Sequence, residues 1–368
     1  MSTVDDLREV LRDVLAGELT DRLDQATTGV GFDEQLWAQL SDLGFTALTA
    51  PVEHGGSGAG WLEAAALLGE SAAAARHLPF AESDLLAHWL LRATGHPADD
   101  PTTPRTVAIV DPDGTARSVP WLGHVPSVLI FRRGDGTCAA ADTPIPLPGP
   151  QNPDYRSNRD PEYGGNRVTH SGLPRGEVRW VEEPRGVVEF DPGLLDQLVL
   201  RGALARAVQI VGALEAAVDL CVQHTGARVQ FGRPLAKFPA VQHLVADAAA
   251  EAALARAAVD AAVLDAVETD LAGSASAAKV AAARSCAGHA ASVVVRHAHQ
   301  VHGAIGTTQE HPLHLFTQPA LDWRGEFGTT REWDRFLGET ARTGPLWDLV
   351  LGAPVPTPPI PGGRLSGS

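Results

Sequence analysis

The chain has 368 residues, and 45 acidic against 29 basic side chains give it a formal charge of −16. That balance leaves no basic stripe for a phosphate backbone, so nucleic acid is not expected as a partner. With 44% hydrophobic and 20% charged residues the composition is globular, which excludes a wholly disordered chain, and the length suits two or three domains or one large layered unit.

Residues 4 to 97 alternate helical stretches with short turns, as in Val4 to Leu23, Glu34 to Leu43 and Trp61 to Ala75. Leu7, Val10, Leu11, Val14 and Leu15 recur at three- and four-residue spacing, which is a helical stripe. Pro51 to Gly60 is too rich in glycine to continue a helix and reads as a loop. From Thr106 the texture changes to β-branched runs, Thr106 to Val110, Ser127 to Phe131 and Gly186 to Phe190, with turn signals at Asp113-Gly114 and Asp135-Gly136. Within this region Thr143 to Gly176 is dense in Pro, Gly, Asn, Asp and Arg, and a long irregular excursion is expected.

Beyond Asp191 the pattern is helical. Pro192 suits the opening of a helix to about Thr225, and an Ala-rich helix from about Ala240 to Val267 follows a loop through Phe231-Gly232-Arg233-Pro234. A third helix runs from Ser274 to His302, a shorter one follows near Leu313, and Thr329 to Thr340 is the last. The expected fold class is α+β, mainly α. It divides into an N-terminal helical domain over 1–100, a small central β domain over 101–190, a C-terminal helical bundle over 191–345 and a flexible tail over 346–368.

No apolar run approaches membrane-spanning length and the first thirty residues lack a signal peptide's pattern, so a cytoplasmic protein without membrane contact is expected. Cys138, Cys221 and Cys286 lie far apart without metal or disulfide spacing and read as reduced, mostly buried thiols. His54, His243, His302 and His311 fit no metal-ligand pattern, so no metal is assigned.

Three segments narrow the reading. They are Leu43-Gly44-Phe45 leading into Ala50-Pro51-Val52-Glu53-His54-Gly55-Gly56-Ser57-Gly58, then Arg228-Val229-Gln230-Phe231-Gly232-Arg233-Pro234-Leu235, then Gln300-Val301-His302-Gly303-Ala304-Ile305-Gly306-Thr307 closed by Glu310-His311-Pro312-Leu313. In this order and spacing the chain resembles the acyl-CoA dehydrogenase family of flavoproteins, over about 30–97 and 193–340 well and over the β region loosely. The resemblance implies FAD as cofactor. It assigns Arg228, Gln230 and Phe231 to the FAD of one subunit, and Gln300, Gly303 and Ala304 to adenosine and pyrophosphate across a dimer interface. Thr329 and Arg331, after Gly328, would complete the cradle. Cationic and hydrogen-bonding groups with close-approach glycines are what a pyrophosphate needs.

The family's reaction removes an α proton from an acyl-CoA with a carboxylate while the β hydride passes to flavin. In most members that Glu directly precedes the Gly-Thr pair, where this chain has Phe327, with Glu326 one residue earlier. A minority place it on the first bundle helix, which corresponds here to about Gly202, beside Arg201. The acidic-Gly-Ser segment of the β domain is also missing, and Pro239 stands where a Gln usually follows the aromatic at Phe238. The pattern is similar to that of the degenerate subunit of actinobacterial heterotetrameric enzymes acting on steroid side-chain CoA thioesters. The expectation is therefore one subunit of an α2β2 FAD-dependent acyl-CoA dehydrogenase catalysing α,β-desaturation, with a homologous partner and an electron-transfer flavoprotein as acceptor. The alternatives are a homo-oligomeric dehydrogenase using Glu326, an oxidase or monooxygenase of the same superfamily, and a flavin-free scaffold.

Overall fold

Residues 3–17, 22–23, 31–97, 100–133, 135–143, 171–179, 187–343, 347 and 358–361 are described in a computed structural model of the chain. Most of the expected irregular stretch, 144–170, and most of the expected tail lie outside these residues. The chain forms two compact units that are discontinuous in sequence. One comprises Met1–Thr28, Trp61–His77 and Ala203–Gly362, the other Gly29–Gly60, Leu78–Gly202 and Gly363–Ser368.

The first unit is helical. Helix α1 (Thr3–Leu15) buries Leu11 and Leu15 and carries Asp5 and Asp6 in its first turn, where the helix dipole favours anions. It stops at Leu15, not at Leu23 as the periodicity suggests, and Arg22 donates to the carbonyls of Leu15 and Gly17 at 3.1 and 3.3 Å. Those are carbonyls left without a partner at the helix end. Arg12 binds Glu70 through two 2.9 Å hydrogen bonds. Helix α3 (Trp61–Ala73) lies so close to the long helix Pro192–Ala227 that a Cβ at Gly212 would stand 2.4 Å from the Gly69 carbonyl oxygen.

Helix α5 (Pro192–Ala227) contributes residues to both units, and between Leu198 and Leu214 its apolar side chains are buried on every face. Helix α6 (Pro239–Thr269) opens on a proline, whose missing N–H costs nothing at a first turn. Its buried residues Ala248, Ala252, Ala255, Val259, Ala262 and Ala266 fall at four- and three-residue steps. The small side chains bring it close to α7 (Ser274–His302), to which Lys279 ties it through Asp265 at 2.6 Å. The shorter α8 (His314–Trp323) and α9 (Thr330–Thr343) follow, with Trp333 and Phe336 of α9 buried.

The second unit holds α2 (Glu34–Asp42), capped by the Asp33 carboxylate on Leu36 N–H, and a turn of 3₁₀ helix at Val52–His54. A wide π-helical stretch, Ala81–His88, runs into α4 (Trp89–Ala93); neither stood out in the sequence. The strands are β1 (Thr106–Val110), β2 (Thr115–Pro120), β3 (Ser127–Arg132), β4 (Cys138–Thr143), β5 (Arg175–Arg179) and β6 (Val188–Phe190). One sheet has the order β1-β3-β4-β6, with β1 and β3 parallel and the other pairs antiparallel, while β2 pairs with β5. The strand at Arg175 begins inside the stretch expected to stay irregular to Gly176, and β6 starts two residues after the expected Gly186. Both expected turns form: Asp113 and Asp135 carboxylates accept the N–H of Thr115 and Thr137 at 2.9 Å.

Cys138 and Cys221 are buried free thiols, and burial pushes Cys221 up to about 12. Among the described residues no helix is long and apolar enough to cross a membrane.

Candidate functional site

Three places in the fold gather the residues singled out above. The first follows the end of α5, where the chain makes a two-strand hairpin of β7 (Val229–Gln230) and β8 (Arg233–Pro234). Its turn is Phe231-Gly232, with φ of 50° and 78°. Two left-handed residues suit the twist of a tight hairpin, but a Phe there is strained by roughly 1–2 kcal/mol. Phe231 is 91% exposed and meets only the Phe238 ring, edge-on at 6.2 Å between centroids, among the described ring contacts. Beside it Arg228 donates to the Gln230 amide oxygen at 2.8 Å, once that amide is oriented to satisfy both groups. An exposed aromatic, a guanidinium and an amide on one hairpin form a surface that suits a planar ring and a phosphate group.

The second place is the end of α7. Gln300, Gly303 and Ala304 are exposed there, and Gly303, at φ 64°, closes the helix with its N–H on His299 O. The third is the start of α9. Thr329 and Glu332 form a reciprocal cap: Thr329 N–H and Oγ1 both donate to Glu332 Oε2 at 2.7 Å, and Glu332 N–H returns to Thr329 Oγ1 at 3.3 Å. The hydroxyl of Thr329 is thus engaged by its own helix, while Arg331 is exposed. Thr330 packs against Gly288 in the middle of α7, where a Cβ would lie 2.1 Å from its Oγ1. Gln300 is twelve residues further along α7, about 18 Å at the helical rise. The hairpin and the end of α7 are neighbours, since His224 and His302 rings lie 4.6 Å apart, but the start of α9 is remote from both.

The loop before α9 carries the residues weighed as bases. Glu326 is buried and accepts from Arg206 Nε and Nη2, both at 2.8 Å, while Arg206 Nη1 donates to Gln209 Oε1 at 2.6 Å. Both contacts fall on one carboxylate oxygen, so the pair fixes the position of the loop before α9 against α5. Arg284, fully enclosed, holds the same loop from below: its Nη2 approaches the carbonyl oxygens of Trp323, Arg324, Glu326 and Gly328 between 2.8 and 3.3 Å. Burial, and secondarily Arg206, lowers the Arg284 pKa to about 9. Phe327 takes a left-handed φ of 50°, its carbonyl accepts from Trp333 Nε1 at 3.1 Å, and its ring centre lies 6.0 Å from Arg206 Cζ.

In the second unit Gly202 is buried in α5. Its neighbour Arg201 donates to the Leu85 carbonyl at 2.9 Å and stands 4.5 Å over the Trp89 ring. The π-helical stretch buries Glu82, Ser83, Asp84 and His88, a polar group that sequence reasoning passed over. Burial raises the Asp84 pKa against two 2.9 Å hydrogen bonds from Thr49. The signal was available as charged residues inside an apolar run, and π-helical turns recur at functional sites.

Comparison with known proteins agrees with this architecture. Residues 2–99 match the acyl-CoA dehydrogenase N-terminal domain and residues 197–330 the acyl-CoA dehydrogenase C-terminal domain. Acyl-CoA dehydrogenase IpdE2 of Mycobacterium tuberculosis is 26% identical over 330 residues, covering 85% of this chain and 90% of its own. The ChsE4-ChsE5 complex of Mycobacterium tuberculosis superposes with a TM-score of 0.79 at 20% identity, covering 94% of this chain and 98% of that one. The Tcur3481-Tcur3483 steroid ACAD does so at 0.76 and 22% identity, covering 91% and 96%. Both domain matches, together with the helical bundle and small sheet they imply, place the chain in the acyl-CoA dehydrogenase family, whose members are FAD-dependent flavoproteins.

Proposed function

We propose that this chain is one subunit of a heteromeric, cytoplasmic acyl-CoA dehydrogenase that desaturates a steroid side-chain acyl-CoA, and that a homologous partner subunit supplies the base. The observation that carries this reading is the Arg206–Glu326 pair. Phe327 occupies the usual base position and Gly202 the alternative one, so Glu326 is the carboxylate left to weigh at these positions. It is held by two guanidinium nitrogens in a buried site, and removing one member of such a pair typically costs about 3–5 kcal/mol. A carboxylate so held acts as a strut between α5 and the loop before α9.

The hairpin and the end of α7 keep what cofactor binding needs. Arg228 would face the pyrophosphate, Phe231 and Gln230 the adjoining rings, and Gln300, Gly303 and Ala304 the adenosine side, with Arg331 and the capped Thr329 contributing from the start of α9. FAD, when bound, supplies the hydride acceptor. The distance between these places along α7 favours a cradle completed by a second subunit, and the exposed Val229, Phe231 and Ile305 beside them suit an interface. The steroid substrate class rests on the likeness to the Tcur3481-Tcur3483 steroid ACAD, and the two-subunit assembly on that and the ChsE4-ChsE5 complex. An electron-transfer flavoprotein would take the electrons onward.

The test is to purify the chain alone and co-expressed with its homologous partner, and to record mass, flavin absorbance and flavin bleaching by a steroid side-chain acyl-CoA. Flavin and tetrameric mass are expected only from the co-expressed pair. A yellow homo-oligomer that acyl-CoA bleaches, and that loses bleaching but not flavin in Glu326→Gln, would overturn the proposal.

A further inference from the structure

The fold gathers three histidines that lie far apart in sequence. His224 is on the last turn of α5, His302 is the final residue of α7, and His311 is in the loop before α8. Each offers a ring nitrogen, and the three nitrogens lie within 4.8 Å of one another. The rings converge and do not stack: His302 lies 4.6 Å from both neighbours at interplanar angles of 36° and 61°, and His224 meets His311 nearly at right angles. His302 forms the floor at 5% exposure, while His224 and His311 are half-buried and leave a route from solvent.

The hydrogen bonds fix which nitrogen of His302 is presented. A carbonyl can only accept, so the 2.8 Å contact between His302 Nδ1 and Ala298 O makes Nδ1 the donor and leaves the lone pair on Nε2. That Nε2 is buried and has no hydrogen-bond partner among the described residues. An imidazole whose rear N–H is tied to a backbone carbonyl and whose front nitrogen is bare is oriented as metal-ligating histidines are. Simple ring packing does not account for it, because a buried acceptor left unsatisfied costs about 1–3 kcal/mol. His311 accepts Leu313 N–H on Nδ1 at 3.2 Å, a long bond that a ring rotation exchanges for a metal bond. Cys221 Sγ lies 4.0 Å from His302 Nδ1, on the far side of the ring, and is not part of the donor set.

We propose that His224, His302 and His311 form a binding site for a divalent transition-metal ion that favours imidazole, with zinc as the reference ion. Zinc–nitrogen bonds of about 2.0–2.1 Å require the three nitrogens to draw together by about 1–2 Å from their widest separation, which side-chain rotation supplies. Three ligands leave a fourth position open towards solvent. The consequence is local: an ion here ties together the ends of α5 and α7, directly beside Arg228–Phe231 and Gln300–Ala304. This site does not depend on the reading of the chain as a dehydrogenase subunit.

The test uses the untagged full-length chain, co-expressed with its partner where needed, stripped with a chelator and titrated with zinc chloride alone. Metal content is read by mass spectrometry, and the geometry by the visible spectrum after cobalt(II) replaces zinc. One zinc per chain is expected, with a tetrahedral cobalt spectrum and a melting temperature that rises with zinc. His224→Asn and His311→Asn are each expected to weaken zinc at least tenfold. His243→Asn, on exposed α6 surface, is expected to bind like the parent. Equal zinc affinity in the parent and in the double variant His224→Asn/His311→Asn would overturn the proposal, as would equal loss in His243→Asn.

Discussion

Replacing Glu326 with Gln separates two roles that a buried carboxylate could have. Gln keeps the size and one hydrogen-bond acceptor but removes the charge facing Arg206, whose side chain is 3% exposed. Leaving that guanidinium without its counter-ion costs about 3–5 kcal/mol when the contact is lost outright, and the retained amide acceptor places Gln near 3 kcal/mol. For 368 residues unfolding together the entropy is about 0.8 kcal/mol/K, so the melting temperature is expected to fall by about 4 °C. Flavin bleaching by acyl-CoA in the co-expressed complex, measured well below that temperature, is expected to stay within about threefold of the parent. The double variant Arg206→Met/Glu326→Met removes both charges and is expected to recover most of the lost stability. An unchanged melting temperature with bleaching reduced a thousandfold would refute the strut reading and make Glu326 the base.

Other expected outcomes follow from single contacts. Gly212→Ala forces a Cβ to 2.4 Å from the Gly69 carbonyl, an atom of a helix backbone, and is expected to cost about 1–3 kcal/mol. Gly226→Ala, in open space on the same helix, is expected to stabilise the chain by about 0.5–1 kcal/mol, and thermal melts compare the two. Phe231→Ala removes a side chain that packs little and is expected to leave the melting temperature of the isolated chain within about 1 °C, since surface changes stay near ±0.5 kcal/mol. The flavin retained by the assembly after gel filtration is expected to fall. His77, buried against Trp323 with Arg22 and Arg206 nearby, titrates near about 4 in the folded chain against an ordinary value near 6.5. The unfolded chain therefore binds the extra proton first, so this contribution is complete above about pH 6.5 and is lost as pH falls towards 4. Urea midpoints between pH 7 and 4 are expected to drop less steeply in His77→Gln.

Much of the architecture was legible because periodicity reports directly on burial. The start of α5 at Pro192, the full span of α7 and the strands at Thr106 and Ser127 could be read from spacing and punctuation. The errors have local physical causes. Helix α1 looked longer because its apolar stripe continues past Leu15, and no local pattern reveals the contact of Arg22 with the Leu15 carbonyl. Strands β2, β4 and β5 are as long as β1 and β3, but small or charged residues interrupt them, as at Ala139 to Ala141 and Arg175 to Glu177, and leave little β-branched signal.

The sequence by itself determined the family, the helical bundle and the loop that carries Arg228, Gln230 and Phe231, because helical periods and their interruptions are encoded locally; that the loop pairs as a hairpin came from the structure. Tertiary structure alone decided what Glu326 and the histidines are near. Arg206 and Glu326 are separated by 120 positions, and Arg284 meets four carbonyls of a loop about forty residues away. His224, His302 and His311 converge only because α5 and α7 end at the same place. Contacts between segments so distant in sequence leave no periodic trace, since each segment's pattern is set by the face it buries and not by the residue it will meet.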